Sequence, residues 1–254
     1  MKKILLILAV LAIGATHNVS AQKVRVMSYN VRNGHGVDGV KDITRCTDII
    51  NDARPDVVAV QELDSMSRRN KKYVLGEMAK LTGYHDYYHR TIPYRGGAYG
   101  IGILTREKAL SVDFRPLPCR REPRGLLIVE MKKYYILSTH LSLNAQDRLT
   151  SVHIIRDIVS KLDKPVFIAG DMNATPNSAP VKAFKEYAQV LNDVNKFTIP
   201  SNNPRKCIDY ILGANGQFKV KKSYVYNGVI ASDHLPLYVD VKISKPKKAK
   251  KAKR

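Results

Sequence analysis

The chain has 254 residues and 44% hydrophobic content, enough for one large α/β domain or two small ones, and this excludes a chain disordered throughout. Its 43 lysines and arginines against 22 acids give a net charge of +21; seven cations lie in residues 245–254 and two in the first three, leaving +12 on the rest. A body that basic favours anionic partners such as nucleic acid, an anionic membrane or lipopolysaccharide.

At the N-terminus, Lys2 and Lys3 precede ILLILAVLAI (4–13), and Val19-Ser20-Ala21 offers the small residues that a signal peptidase reads. A spanning helix needs about 20 apolar residues, twice that run. Residues 1–21 are therefore predicted to be a signal peptide cleaved after Ala21, and the mature protein to be periplasmic or secreted. No cysteine follows the apolar run, which argues against a lipoprotein anchor. No Gly/Ser- or Pro-rich linker interrupts the body, so residues 22–243 read as one domain. Residues 244–254 read as a basic disordered tail.

Strand-like runs alternate with helical patterns along the body. Residues 43–53 place Ile43, Cys46, Ile49, Ile50 and Ala53 on one helical face. Residues 71–83 group Val74, Met78 and Leu81 and end at Gly83. Residues 144–163 group Val152, Ile155, Val159 and Leu162, with Pro165 just beyond. A fourth helix is predicted over 178–190, with Pro180 in its first turn. Residues 84–100, YHDYYHRTIPYRGGAYG, read as a long loop near a binding site, their tyrosines and arginines suited to stacking on bases or sitting at a lipid interface. Cys46, Cys119 and Cys207 form no CxxC pair, which argues against a thiolate metal site; they read as small apolar fillers, with one disulfide left open.

The strands carry the chemistry. VRVMSYN (24–30), VVAVQE (57–62), YYILSTH (134–140), VFIAGDMN (166–173) and CIDYIL (207–212) each end on or contain an acid, amide or histidine, and Ser232-Asp233-His234 precedes LPLYVDV. Runs this continuously apolar suit sheets covered on both faces, so two sheets face to face with helices outside are expected. Polar residues that close such runs would gather at one rim, a set suited to hydrolysis assisted by a divalent metal.

The order N, QE, TH, GDMN, IDY, SDH resembles the endonuclease/exonuclease/phosphatase superfamily, which includes deoxyribonucleases, sphingomyelinases and inositol polyphosphate phosphatases. GDMNATP and SDHLP are its most specific pieces in this chain, and the resemblance covers about residues 23–243. It implies a four-layered α/β sandwich of two mixed sheets. It also implies that Glu62, Asn30 and Asp233 stand at a metal, Mg²⁺ or alternatively Mn²⁺. Asp171 would orient and deprotonate the attacking water, and Asn173 would hold that water or a phosphoryl oxygen. His234 would contact the scissile phosphate, with Asp209 orienting it, and His140 would be a second phosphate contact. Arg121, in an Arg-Glu-Pro segment, and Arg32 match positions near phosphate in the deoxyribonucleases. Asn33 sits where some members carry an acid.

The expected activity is in-line attack of water on a phosphodiester or phosphomonoester, with no covalent enzyme intermediate. The expected substrate is a lipid or a small phosphodiester. A non-specific nuclease is the first alternative and a non-catalytic polyanion-binding module the second. The enzyme is expected to be a monomer. The basic body and tail are expected to contact nucleic acid, membrane or lipopolysaccharide.

Overall fold

A computed structural model describes residues 22–244. The predicted signal peptide and, apart from Ser244, the predicted basic tail lie outside the described residues.

One sheet holds β1 (Gln22–Asn30), β2 (Val57–Ser65), β3 (His85–Tyr94), β4 (Gly97–Thr105), β11 (Gln217–Val225) and β12 (Leu237–Ser244), in the order β11-β12-β1-β2-β4-β3. The other holds β5 (Ser111–Leu117), β6 (Arg124–Glu130), β7 (Tyr135–His140), β8 (Val166–Asp171), β9 (Gln189–Val190) and β10 (Asp209–Ala214), in the order β5-β6-β7-β8-β10-β9. Both sheets are mixed: β1 runs parallel to β2 and β7 parallel to β8, and every other pairing is antiparallel.

The sheets pack face to face. Val24, Val26, Ile103 and Val239 from one meet Leu127, Ile136, Phe167 and Ile211 from the other in a shared core. Helices α1 (Thr44–Ala53) and α2 (Val74–Thr82) cover the far face of the first sheet, through Cys46, Ile50, Leu75 and Met78. Helices α3 (Ala145–Val159) and α4 (Ala179–Lys185) cover the far face of the second, through Val152, Ile155, Val181 and Phe184. The central strands are thus buried on both faces, which is why they read as apolar runs rather than alternations. This is the expected four-layered α/β sandwich.

Local signals set the helix ends. The Asn144 side chain accepts from the Gln146 and Asp147 backbone N–H groups and caps α3. Gly83, at φ 73°, closes α2.

Two predicted elements differ. The loop expected over 84–100 is a β-hairpin, β3–β4, turning at Arg95 and Gly96 with φ 45° and 80°. Pro93 disguised it; β3 is an edge strand, where a missing ladder N–H is tolerated. The helix expected over 178–190 ends at Lys185. Gln189 and Val190 instead pair with Gly213 and Leu212 as the edge strand β9. Pro180 does stand in the first turn of that helix. All three cysteines are free: Cys46 and Cys207 are buried as expected of fillers, whereas Cys119 is partly exposed.

Candidate active site

Strand register assembles the site. In the second sheet, β8 ends on Asp171, which stands directly opposite His140 on parallel β7 and Asp209 on antiparallel β10. In the first sheet, β1 ends on Asn30, paired with Gln61 on parallel β2, and Glu62 follows. Because the two parallel pairs finish at the same rim, the polar ends of four strands face one another across the sandwich.

The contacts follow. The Asn30 Nδ2 group donates to Glu62 Oε1 at 3.1 Å and reaches Asp171 Oδ2 at 3.3 Å, so one buried amide ties the sheets together. His140 Nε2 lies 3.4 Å and His234 Nε2 3.7 Å from the same Asp171 oxygen. His234 Nδ1 donates to Asp209 Oδ2 at 2.9 Å. The loop carrying His234 is fixed from below: Ser232 Oγ donates to the Asn30 carbonyl at 2.7 Å and accepts from the His234 N–H at 3.2 Å. Asn173 donates its backbone N–H to Asp171 Oδ1 at 2.8 Å and its side-chain Nδ2 to the Leu141 carbonyl at 2.9 Å.

The backbone is bent to fit. Eight non-glycine residues among those described have positive φ, and four of them are Arg32, Asn33, Glu62 and Asn173. Such conformations cost on the order of 1–3 kcal/mol each and persist where surrounding structure enforces them. The bend at Glu62 coincides with a register shift between Val60 and Leu63 that re-aims its side chain.

Burial and charge then set protonation. Burial, reinforced by Asp209 and opposed by His234, raises Asp171 to about 7. Burial alone would lower His234, but Asp209, by its charge and hydrogen bond, and then Asp171 raise it to about 10, so it is an imidazolium at neutrality. Burial, then the charges of Arg124 and His234, hold His140 well below its ordinary value, so it is neutral. Its Nδ1 has no partner among the described residues, which suits the tautomer that donates from Nε2. Burial raises Glu62 while the Asn30 hydrogen bond lowers it and Asp233 raises it again.

The structure therefore brings together Asn30, Glu62, His140, Asp171, Asn173, Asp209, Asp233 and His234. Arg32 lies at the edge, its Nε 3.5 Å from Asp233 Oδ2. Arg121 is exposed and lines a depression with Arg120, Arg124, Ser142 and Leu143. The residue that sequence reasoning passed over is Arg124. It is buried, paired with Glu122 at 2.6 Å, and its charge reaches Glu62, Tyr99 and His140. Its signal was present, since Arg121 and Arg124 flank Glu122-Pro123 at the start of an apolar run. Tyr99 was submerged in the supposed loop. It is held beside Glu62 by the β3–β4 hairpin, and burial followed by that carboxylate raises its phenol. Asn33 is spoken for: its amide donates to Asp64 Oδ2 at 2.9 Å and its carbonyl accepts from Asn70.

The tightest group of ligand-type atoms among the described residues is Asp171, Asp209 and His234, within 4.8 Å of one another. His234 Nδ1 and an Asp209 oxygen already satisfy each other, which suits proton handling more than metal ligation. Among the described residues no cation stands at ion-pair distance from Glu62; it accepts from the Asn30 amide, and Asp233 acts on it in one sense while the charges of His234 and Arg124 act in the other. A carboxylate flanked by an amide and a second acid is a set of hard oxygen donors, and it fits a divalent cation.

No curated protein sequence matches the chain. Among solved structures it is similar to an endonuclease/exonuclease/phosphatase of Beutenbergia cavernae, at 22% identity and TM-score 0.74 over 87% of this chain and 72% of that one. It is similar to the human Nocturnin catalytic domain with bound sulfate, at 18% identity and TM-score 0.68 over 87% and 95%. It is also similar to a mannosyl-6-phosphatase of Bacteroides thetaiotaomicron, at 17% identity and TM-score 0.68 over 86% and 99%. The model of the Endonuclease/Exonuclease/phosphatase family matches residues 27–234. The chain belongs to that family, and is thereby a metal-dependent hydrolase of phosphoester bonds.

Proposed function

We propose that this protein is an exported, Mg²⁺-dependent phosphoesterase that hydrolyses a small, water-soluble phosphodiester by direct attack of water. The observation that carries this reading is the pairing of two carboxylate environments around one imidazolium: Asp209 bonded to His234, and Asp171 beside it with a raised pKa.

Asp171 accepts the proton of the attacking water. Its Oδ2 is approached by three donors at 3.3–3.7 Å, too far to saturate it, and its raised pKa matches a base working near neutrality. Asn173, anchored through Nδ2 on the Leu141 carbonyl, keeps its amide oxygen for the water. His234, kept charged by Asp209, donates to a non-bridging phosphoryl oxygen as negative charge builds there. Neutral His140 donates from Nε2 on the neighbouring strand. Glu62, Asn30 and Asp233 would hold Mg²⁺, which supplies charge neutralisation at the phosphoryl and leaving oxygens. Mn²⁺ has the same ligand preferences and is the alternative.

Export rests on Lys2, Lys3, the ten-residue apolar run and Ser20-Ala21. The first described strand begins at Gln22, so cleavage after Ala21 leaves every described strand residue in place. The small-substrate reading rests on the connections among the described strands, which hold no apolar hairpin for entering a bilayer.

A non-specific nuclease is the second reading. It is favoured by cations on both flanks of the site: Arg120, Arg121 and Arg124 on one side, and Arg205 and Lys206 sharing a depression with Asn173 on the other. An extended polyanion could cross both.

One assay separates them. Residues 22–254 are tested on bis(p-nitrophenyl) phosphate, p-nitrophenyl phosphate, sphingomyelin and plasmid DNA, with Mg²⁺, Mn²⁺ or chelator. The expected result is metal-dependent turnover of the small diester, abolished in Asp171→Asn and His234→Ala. Preferential nicking of plasmid would transfer the assignment to the nuclease. Unchanged turnover in either variant would strip that residue of its catalytic role. N-terminal sequencing of the mature protein, expected to begin at Gln22, tests export.

A further inference from the structure

A row of lysines crosses the pole of the sandwich opposite the active site. In the register of β11, β12 and β1, Lys219 stands directly opposite Lys242, and Lys242 directly opposite Lys23. Residues opposite one another share a face. Val24, Val241 and Phe218, their chain neighbours, point into the core between the sheets, so the three lysines point outward. Lys221 adds a fourth charge at the register shift between Val220 and Lys222. Like charges directly opposite on neighbouring strands, about 4.8 Å apart, are destabilising.

The acid nearest in register, Asp240, is taken by Arg25 through two bonds of 2.6 and 2.8 Å. Asp56 accepts the Arg25 backbone N–H at 2.7 Å. None of the four lysines is in an ion pair among the described residues, and Lys221 is lowered first by repulsion from Lys219, then by burial and by Lys242 and Lys23. Lys23, Lys221 and Lys242 line an open depression of about 600 Å³ together with Arg25 and Arg54, five cations against the two acids Asp56 and Asp240.

Both ends of the chain leave from this edge. Gln22 pairs with Ile243, and Gln217 with Ser244. The ten residues after Ser244 carry seven cations and no acid, and the residues before Gln22 include the apolar run 4–13. The nearby tyrosines are not a free stacking platform. Tyr238 is covered by Arg25 at 4.4 Å and by Lys222 at 5.3 Å, and Tyr224 packs on Tyr226 and Tyr238. A nucleic-acid surface would use such rings for bases. Exposed point charges at one end of the outer sheet face match an anionic bilayer instead.

We propose that the Lys23–Lys242–Lys219 face docks the protein on membranes rich in anionic lipid headgroups. The catalytic rim lies seven residues up β1, roughly 23 Å away at about 3.3 Å per residue, so the docking face and the catalytic site do not overlap. Anionic headgroups between the ammonium groups remove the repulsion left in the isolated protein.

The test is co-sedimentation of residues 22–254 with vesicles of equimolar phosphatidylcholine and phosphatidylglycerol, or of phosphatidylcholine alone. Binding is expected only to the anionic vesicles. The triple variant Lys23→Gln, Lys219→Gln, Lys242→Gln, with its tail intact, is expected to bind more weakly by roughly fivefold per lysine. It should hydrolyse the chromogenic diester as before, and should melt no lower than the parent at low salt because repulsion has been relieved. Equal sedimentation of parent and variant would overturn the proposal, as would binding without lipid selectivity or a lower melting temperature. Tighter binding to a DNA duplex than to anionic vesicles at the same ionic strength, lost in the variant, would hand the face to nucleic acid and equally end the membrane assignment. Vesicle binding is read independently of turnover, so failure of the catalytic reading leaves this result standing or falling by itself.

Discussion

His234 Nδ1 donates to Asp209 Oδ2 at 2.9 Å, with both side chains buried and Asp171 on the other side of the ring. The bond fixes the ring's orientation and its charge together. Asp209→Asn keeps the shape but removes the charge that holds the imidazolium. Turnover of the small diester is expected to fall by about 10²-fold or more at neutral pH, with little change in the far-ultraviolet circular dichroism. The His234 ring resonances should titrate at lower pH than in the parent. A variant with parental turnover would show that Asp209 has no part in positioning His234.

The same pair sets a pH dependence of stability. His234 has a folded pKa of about 10, above the ordinary 6.5, and Asp171 about 7, above the ordinary 3.8. In both, the folded state binds the proton more tightly than the unfolded chain. Their contribution is therefore full at low pH and is lost as pH rises, Asp171's between about 4 and 7 and His234's between about 6.5 and 10. The metal-free protein should lose stability over that window relative to an Asp171→Asn, His234→Gln double variant. Urea midpoints in chelator from pH 5 to 9 measure it. A parent-minus-variant difference that grows with pH would contradict the sign.

Much of this architecture was readable beforehand because central strands announce themselves. β1, β2, β7, β8 and β10 are apolar on both faces, and each polar residue at their ends breaks a long run. Ser28-Tyr29-Asn30 and Ser138-Thr139-His140 resemble one another for a structural reason. β1 and β7 occupy the same place in two sheets of equivalent order, each followed by a helix and a parallel partner. The edges were not legible. β3 carries Pro93 and partly exposed tyrosines, and β9 is two residues long, so neither shows a buried run. Arg124 was overlooked beside Arg121 because only packing decides which of two near neighbours turns inward. The lysine row is invisible in sequence, since register alone sets Lys23, Lys242 and Lys219 side by side.

Unlike Asp171, Asp209 and Asp233, Glu62 has no cation at ion-pair distance among the described residues, and its hydrogen bond from Asn30 at 3.1 Å aims it across the gap toward Asp171. Glu62→Gln keeps the amide contact possible but removes the charge. Mg²⁺ affinity, measured calorimetrically with no substrate present, is expected to fall by at least about tenfold. Asn30→Ala should lower it less while also loosening the link between the sheets. If Glu62→Gln bound Mg²⁺ as tightly as the parent while Asp209→Asn did not, the metal would belong to the Asp171–Asp209–His234 group instead.

Gly170 precedes Asp171 with φ 150°, and a Cβ placed there would overlap the Thr139 carbonyl oxygen. That carbonyl lies on β7, directly opposite Gly170 in the register that also sets His140 opposite Asp171. Relief requires the two strands to part at the rim where both side chains are presented. Gly170→Ala is therefore expected to cost on the order of 3 kcal/mol or more in urea unfolding, through strained backbone and lost pairing. Turnover should fall further than stability alone explains, because Asp171 moves relative to His140 and His234. Gly213→Ala is the control, since the nearest atoms its Cβ would meet are those of the Phe218 ring at 2.8 Å, away from the rim. It should destabilise while sparing kcat in the fraction that remains folded. Equal kcat losses in the two variants would mean that the glycine at 170 serves the fold and not the placement of the base.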